Sequence, residues 1–110
     1  MARTLITMPK TAKRGELIEI RTLIAHPMET GYRHDDGGVV VPRNLIRRLS
    51  CRYFDGRDDV EVFSAELFPA IAANPYVSFF TIATGSGTLR FSWQGDDGFA
   101  QTESVELSVT

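Results

Sequence analysis

The sequence contains one cysteine, Cys51, so no disulfide can form within the chain. Only two of its twelve basic residues are lysines, and the net charge is −2, which excludes the strongly basic surface of nucleic-acid-binding domains. No segment approaches the roughly 20 consecutive apolar residues that a membrane-spanning helix needs. The first sixteen residues also lack the apolar core of a signal peptide, and taken alone these absences predict a cytoplasmic protein.

The residues that are present have the composition of one ordinary folded domain. The chain has 110 residues, of which 43% are hydrophobic and 24% charged. This length allows one hydrophobic core and leaves little room for a second. We therefore expect a single domain over residues 1–110, with no nucleic-acid partner and no membrane insertion.

Apolar and polar residues alternate with a period of two along much of the chain. In GELIEIRTLIA, Ile18, Ile20 and Ile24 fall on one face, and Glu19 and Arg21 fall on the other. The same pattern recurs in four further segments: LSCRYF, DVEVFSAEL, TLRFSWQ and SVELSVT. This alternation is typical of antiparallel strands that have one buried and one solvated face.

Glycine and Asx residues mark turns between these segments. The sequence GDDG separates TLRFSWQ from FAQTESVEL and predicts a β-hairpin. About seven short strands on this spacing predict an all-β fold, an immunoglobulin-like antiparallel β-sandwich. The inter-sheet disulfide of antibody domains is absent.

Two segments depart from the alternating pattern. LFPAIAANPY, residues 67–76, is apolar without alternating and contains two prolines, which favours a helical turn or a crossover loop. Residues 31–44 form the longest predicted loop. Within that loop Val39–Val41 could be an edge strand, because Pro42 would interrupt an interior one.

Five side chains near the end of the first long alternating segment are candidate metal ligands: His26, His34, Glu29, Asp35 and Asp36. Zinc requires three or four convergent nitrogen, sulfur or oxygen ligands. The spacing of these residues matches no diagnostic motif. We therefore favour a structural role, in which His26 ends a strand and forms local hydrogen bonds.

No other group of residues predicts catalysis. Cys51 falls on the apolar face of a predicted strand, whereas a reactive thiolate needs an electropositive, partly exposed setting. Three pairs of adjacent aspartates lie in or beside glycine-containing turns: Asp35/Asp36, Asp58/Asp59 and Asp96/Asp97. The GSG sequence at 85–87 is too short for a phosphate-binding loop. The residues therefore predict no cofactor and favour a binding module.

Several aromatic residues have no evident place in the core. YVSFFTI, residues 76–82, is apolar on both faces, with Tyr76, Phe80 and Ile82 on one face and Val77 and Phe79 on the other. Two further aromatics, Phe54 and Phe63, are out of phase with their strands. An exposed apolar face of this kind marks an interaction site, and the alternative is that loops of the same chain cover it.

Four separated blocks of the sequence resemble the SoxZ family, the small subunits of the SoxYZ sulfur carrier of bacterial thiosulfate oxidation. These blocks are IRTLIAHPMETGYR (20–33), VPRNLI (41–46), VFSAELFPAIAANPYVSFF (62–80) and GTLRFSWQGDDG (87–98). HPMETG and ANPY are the most specific of the matching stretches. The resemblance covers nearly the whole chain.

The resemblance implies a non-catalytic subunit that pairs with SoxY as a heterodimer. In the family, SoxY carries the sulfur on a cysteine in a glycine-rich C-terminal arm and presents it to the other Sox enzymes. This chain ends in SVELSVT, without such a cysteine. The resemblance also implies a periplasmic location, reached by export together with SoxY, and this replaces the cytoplasmic expectation.

A partner surface can then be predicted as a hypothesis, and it includes seven residues: His26, Met28, Glu29, Phe54, Phe63, Val77 and Phe79. Within IAHPMETG, Pro27 would end strand pairing and Gly31 would release the chain into the loop. The flexible Met28 can adapt to a partner, and residues 26–34 could also dock other Sox enzymes. A structural corner is the alternative interpretation of this stretch.

Two other functions remain open from the residues. An adaptor or adhesive immunoglobulin-like domain would be a stable monomer with no affinity for SoxY. A redox or metal enzyme using His26, His34 and Cys51 would bind metal stoichiometrically or have a thiol pKa well below about 8.5. The isolated chain could also self-associate through the surface that SoxY would cover.

Overall fold

A computed structural model describes residues 3–67 and 73–110. Within these ranges it contains eight strands and one short 3-10 turn. The strands are β1 (Thr4–Thr7), β2 (Thr11–Ala12), β3 (Leu17–Ile24), β4 (Ile46–Phe54), β5 (Asp59–Glu66), β6 (Tyr76–Ile82), β7 (Gly87–Gly95) and β8 (Ala100–Val109). The 3-10 turn, Asp96–Gly98, connects β7 to β8.

The strands form two sheets that pack face to face. One sheet has three strands in the order β1-β3-β6, and the other has five in the order β2-β8-β7-β4-β5. All pairings are antiparallel except that of β2 with β8. The predicted β-sandwich is therefore confirmed. The additional strands β1 and β2 are too short for a periodic pattern to reveal them.

The alternation of β3 places its isoleucines in the core between the sheets. Ile18, Ile20 and Ile24 are buried, and they face aromatic residues of β7, including Phe91 and Trp93. Thr22 is also buried on this face. Its hydroxyl donates a hydrogen bond to the carbonyl of Val77 at 2.9 Å. A satisfied hydroxyl costs little to bury.

The predicted β7–β8 hairpin is confirmed. Its strands pair from Gly87 opposite Leu107 to Gln94 opposite Ala100. The connecting turn places Asp97 in the left-handed region with φ 56°, a conformation that aspartate tolerates better than most residues. A Cβ at Gly95 would overlap the carbonyl oxygen of Leu45, which explains the glycine there.

A β-bulge explains why Phe63 is out of phase with its strand. Cys51 pairs with Phe63 and the next residue, Arg52, pairs with Glu61, so Val62 is an extra residue in β5. The bulge turns the Phe63 ring inward. It stacks on Phe79 with ring centroids 4.2 Å apart and planes 5° apart.

The long connection from β3 to β4 is confirmed, but the edge strand predicted at Val39–Val41 is wrong. Only an isolated bridge forms there, between His34 and Val40. The central residues 68–72 of the helical turn or crossover predicted at 67–76 lie outside the described residues. No helix among the described residues is long and apolar enough to cross a membrane.

The two sides of the sandwich differ. On one side β1 belongs to the three-stranded sheet and β2 to the five-stranded sheet, so the short segment between them crosses from sheet to sheet. On the other side β5 and β6 are edge strands of their respective sheets. The stacked Phe63 and Phe79 rings lie between those two edges.

Candidate partner-binding surface

The outer face of the three-stranded sheet carries large apolar side chains that nothing in the described chain covers. Five of these residues are each between 48% and 60% exposed: Leu5, Leu17, Tyr76, Phe80 and Ile82. We refer to these five residues, together with Leu23, as the outer apolar face. Exposed apolar clusters of this kind mark interaction sites more often than isolated exposed side chains do.

Strand register arranges the outer apolar face in rows. Leu5, Leu23 and Tyr76 lie directly opposite one another across β1, β3 and β6. At the other end of the sheet, Leu17 lies opposite Ile82. Directly opposed side chains on one face contact each other, so each row forms a continuous apolar strip.

A charged pair separates the two strips. The Arg21 guanidinium donates two hydrogen bonds to the Glu19 carboxylate, at 2.9 and 3.2 Å. These contacts raise the pKa of Arg21, which is charged at any physiological pH in either case. Glu19 is also directly opposite Phe80 in the sheet. The pair gives the face a fixed polar feature that a partner can match.

The outer face of the five-stranded sheet has the opposite character. Its exposed side chains are mainly charged or hydroxylic, and ion pairs join Arg48 to Glu61 and Arg52 to Asp59. Thr88 donates a hydrogen bond to Glu106 at 3.1 Å. This face is the solvated surface that alternating strands are expected to present. The contrast identifies the three-stranded sheet as the side available to an apolar partner.

Three residues predicted to bind a partner instead contribute to the core or to its edge. Phe79 is 6% exposed and stacks on Phe63, while Val77 and Phe63 are half-buried against the core. The expectation that Phe79 lies on a free surface is wrong, because its face of β6 meets the other sheet. The opposite face of β6, with Tyr76, Phe80 and Ile82, is exposed.

Phe54 is exposed, as predicted, but on the five-stranded sheet. It is 49% exposed and borders a small surface concavity of about 150 Å³ shared with Arg52, Asp59, Thr88 and Arg90. Its position on the opposite outer face separates it from the outer apolar face. A partner role for Phe54 therefore remains a prediction.

The corner that follows β3 buries two of the predicted residues, His26 and Met28. The backbone N–H of Met28 donates to His26 Nδ1 at 3.0 Å, and the Ile46 N–H donates to Met28 Sδ at 3.3 Å. Met28 adopts φ 52° at this corner. These contacts confirm the interpretation of IAHPMETG as a strand that ends in a shaped corner.

The imidazole of His26 is closely enclosed. Its backbone exchanges hydrogen bonds with Asn74, and its ring meets Phe99 edge-on at 5.4 Å. Nε2 is buried and has no hydrogen-bond partner within the described residues. Burial lowers the pKa of His26, against the smaller opposing influences of Asn44 and Asp96. The neutral imidazole therefore belongs to the folded state.

Glu29 is half-buried, and Arg33 donates three hydrogen bonds to its carboxylate, the shortest at 2.8 Å. The bonds lower the pKa of Glu29. Neither this pair nor His34, Asp35 and Asp36 forms a metal site, since no group of three potential ligands converges in the part of the chain that the structure describes.

Cys51 is buried on the inner face of β4, as the alternation predicts. Burial raises the pKa of its thiol to about 12. A thiol with this pKa is almost entirely protonated at neutral pH and is a poor nucleophile. The interpretation of Cys51 as a structural residue is therefore confirmed.

The family of the chain is shown by a comparison with known protein families. The family model described as sulphur oxidation protein SoxZ matches residues 6–106. The chain belongs to the SoxZ family. This family membership gives the chain a role in Sox sulfur oxidation. No curated protein sequence matches this SoxZ-family chain.

Solved structures with a similar fold come from two kinds of protein. The sulfur carrier protein SoxY from Chlorobium limicola f thiosulfatophilum is 18% identical, with a TM-score of 0.66, over 97% of this chain and 78% of that one. A superoxide reductase (neelaredoxin) from Ignicoccus hospitalis is 19% identical, with a TM-score of 0.79, over 99% and 82%. The superoxide reductase from Nanoarchaeum equitans is 16% identical, with a TM-score of 0.68, over 94% and 90%. At these identities the likeness shows the shared fold alone.

The sequence contained a signal for the outer apolar face. Leu17 and Leu23 occupy the polar face of β3, alternating with Glu19 and Arg21 on the same side. Apolar residues on the otherwise polar side of a strand indicate that a partner or another segment covers that side. The signal is weak without the register, because only strand pairing brings Leu23 beside Tyr76.

Proposed function

We propose that this SoxZ-family chain is the non-catalytic subunit of a sulfur carrier complex and pairs one-to-one with a SoxY-like subunit through its outer apolar face. The partner bears the sulfur on its C-terminal cysteine and presents it to the other Sox enzymes. The observation that carries the proposal is the exposed, ordered cluster formed by Leu5, Leu17, Tyr76, Phe80 and Ile82.

The contrast between the two sheets supports this choice of surface. Stable subunit interfaces have an apolar centre surrounded by polar residues. The outer apolar face has two apolar strips and an Arg21–Glu19 pair between them, whereas the other outer face is mainly charged or hydroxylic. Burying the apolar strips in a complex would gain roughly 25 cal/mol for each Å² of apolar area removed from water.

The assignment of the sulfur to the partner is supported by the state of Cys51. This is the only thiol of the chain, and it is buried with its pKa raised to about 12. A carrier thiol must reach an enzyme's active site and ionise there. Sulfur carriage therefore requires a cysteine from another subunit, and this chain needs no cofactor for a partner role.

We place the complex in the periplasm, which this chain reaches by export together with SoxY. Cell fractionation with and without the SoxY-like subunit tests the location. The chain should be periplasmic only when the partner is co-expressed. Periplasmic material in the absence of the partner would contradict joint export.

Co-expression with a SoxY-like subunit, followed by size-exclusion chromatography with mass detection, tests the pairing. We expect a one-to-one complex, and we expect Phe80→Asp to weaken it at least about tenfold, because the substitution would bury a charge in an apolar contact. Phe54→Asp is the matched control, since it changes a phenylalanine on the other sheet that is 49% exposed, against 58% for Phe80.

The outcomes of this experiment separate the competing functions. A clean monomer with no affinity for SoxY would overturn the proposal and favour an adaptor domain. If Phe54→Asp and Phe80→Asp weaken the complex equally, the assignment of the interface to the outer apolar face is wrong. Phe79→Asp is unsuitable as a binding variant, because it would place a charge in the core and destabilise the fold.

A further inference from the structure

Residues 29–44 fold back on themselves as a ribbon, which is held by two isolated bridges, Glu29–Asn44 and His34–Val40. At its base, Glu29 and Asn44 exchange backbone hydrogen bonds, both at 2.8 Å. Near its tip the Val41 N–H donates to the Arg33 carbonyl at 2.7 Å, and His34 lies opposite Val40. Pairing at both ends shows that this segment, which reads as a long loop in the sequence, has a defined conformation.

The tip of the ribbon is a tight turn built around Asp35. Its side-chain oxygen accepts hydrogen bonds from the N–H groups of Gly37 and Val39, at 2.9 and 3.0 Å. The Gly38 N–H donates to the Asp35 carbonyl at 3.0 Å, and Gly38 has φ +80°. Aspartate and glycine are the residues that stabilise such turns.

Charged contacts fix the ribbon to the body of the protein. Asp96, in the β7–β8 turn, accepts hydrogen bonds from the Arg43 side chain at 3.1 Å and from the Leu45 N–H at 3.0 Å. Arg33 pairs with Glu29 along the ribbon itself. A surface element held in this way loses little conformational entropy when it binds.

The tip of this ribbon carries exposed apolar side chains. Tyr32 is 83% exposed, Val39 64% and Val40 49%. Val39 and Val40 are neighbours in the segment that pairs through the His34–Val40 bridge, so their side chains point to opposite sides of the ribbon. Neither face of the ribbon is therefore covered by the described chain. Asp35 and Asp36 add two carboxylates at the apex.

The molecule as a whole is elongated. The longest axis is 58 Å and the other two are 21 and 20 Å. A strand of nine residues spans only about 30 Å. The radius of gyration is 16.3 Å, against about 13 Å for a compact domain of this length. Connections at the ends of the strands therefore contribute substantially to the length.

We propose that the tip of the ribbon inserts into an apolar cleft with a basic rim on a protein that visits the carrier complex transiently. The apolar side chains on both faces fit a cleft better than a flat surface, and the two apical carboxylates require basic groups around its entrance. Three exposed side chains offer far less than the roughly 800 Å² per partner of a stable interface. That small area favours a transient partner over a permanent subunit or a second copy of the chain.

This inference rests on the proposed function and concerns a second surface, separate from the outer apolar face. The test uses the complete complex with the SoxY-like subunit in a reconstituted thiosulfate-oxidising system. The variant combines Tyr32→Ser with Val39→Ser. The control is Thr102→Ala, which changes an exposed side chain on β8 in the five-stranded sheet. The rate is measured against the concentration of the carrier complex.

We expect the double variant to form the complex normally and to raise the apparent KM for the complex about tenfold, with kcat little changed, because it weakens encounter and not chemistry. Asp36→Asn should raise KM at low salt and reduce the dependence of KM on ionic strength. The Thr102→Ala control should match the wild type in each measurement.

Two results would overturn the inference. An unchanged KM in the double variant would show that the ribbon tip contacts no enzyme. Loss of SoxY binding in that variant would assign the tip to the permanent interface. If the wild-type chain fails to form the complex, the proposed function itself is overturned, and this outcome is distinguishable from the other two.

Discussion

At the scale of single residues, the chain buries an imidazole at a position where its ring nitrogen is needed as a hydrogen-bond acceptor. His26 is 5% exposed, and its Nδ1 accepts the Met28 N–H at the corner after β3. Only the neutral ring can accept this bond. The same protonation state is favoured by burial, which lowers the pKa of His26 below its ordinary value of 6.5. His26 therefore stabilises the corner only while it is neutral.

We predict that stability falls as the pH falls from 7 to 5. The unfolded chain binds a proton at His26 near pH 6.5, whereas the folded chain resists protonation until a lower pH, so acid favours unfolding across this interval. His26→Asn keeps an acceptor for the Met28 N–H and removes the titration. Urea unfolding at pH 5, 6 and 7 measures the difference.

The variant should show a smaller loss of unfolding free energy between pH 7 and pH 5 than the wild type. The carboxylates Glu29 and Asp55, whose pKa values are lowered in the folded state, are present in both proteins and contribute equally to the two profiles. Parallel pH profiles for the two proteins would contradict the assignment of the effect to His26.

At the scale of elements, the turn between β6 and β7 is packed tightly against the end of β4. The Tyr53 hydroxyl donates to the carbonyl of Gly85 and accepts from the Gly85 N–H at 3.2 Å. Asp55 accepts a hydrogen bond from the Thr84 hydroxyl at 2.8 Å and others from the backbone at 57 and 58. These contacts lower the pKa of Asp55 to about 2. The turn ties the two sheets together at this end.

Gly87→Ala should destabilise the protein by about 2–3 kcal/mol, because the added Cβ would overlap the carbonyl oxygen of Phe54 and force the turn away from β4. Gly37→Ala is the matched control, since the nearest atom to its Cβ is Asp35 Oδ1 at an ordinary 3.4 Å. Chemical denaturation measures both. A loss below about 0.5 kcal/mol for Gly87→Ala would show that the turn can move freely.

At the scale of the whole molecule, two surfaces have different physical characters. The outer apolar face is broad, strip-like and part of a rigid sheet, which suits a permanent subunit. The ribbon tip offers only a small apolar area, which suits a transient partner. An elongated molecule, 58 Å in its longest dimension, allows a subunit on the sheet and a visitor at the tip to bind together.

Without its subunit, the chain should self-associate through the outer apolar face. Apolar strips left in water favour an isologous contact between two copies. Sedimentation velocity on the isolated chain should show a concentration-dependent dimer that Phe80→Asp abolishes and Phe54→Asp preserves. A monomer at all concentrations would show that the polar Arg21–Glu19 pair is sufficient to prevent self-pairing.

Much of this architecture could be predicted from the sequence, because a period of two is a local property of the chain. The alternation in β3, β7 and β8 placed their buried residues correctly, and GDDG placed the hairpin. The bulge at Val62 could not be predicted, because an extra residue is defined only against the partner strand. The ribbon pairing of residues 29–44 is likewise a contact between segments.

The sequence by itself determined the fold class, the family and the two faces of each long strand. Which face of β6 is free was decided only by the tertiary structure. Phe79 and Phe80 are neighbours of equal hydrophobicity, yet one is 6% and the other 58% exposed. Alternation fixes that they point to opposite sides, but the side that meets the second sheet depends on strand pairing and on how the sheets pack.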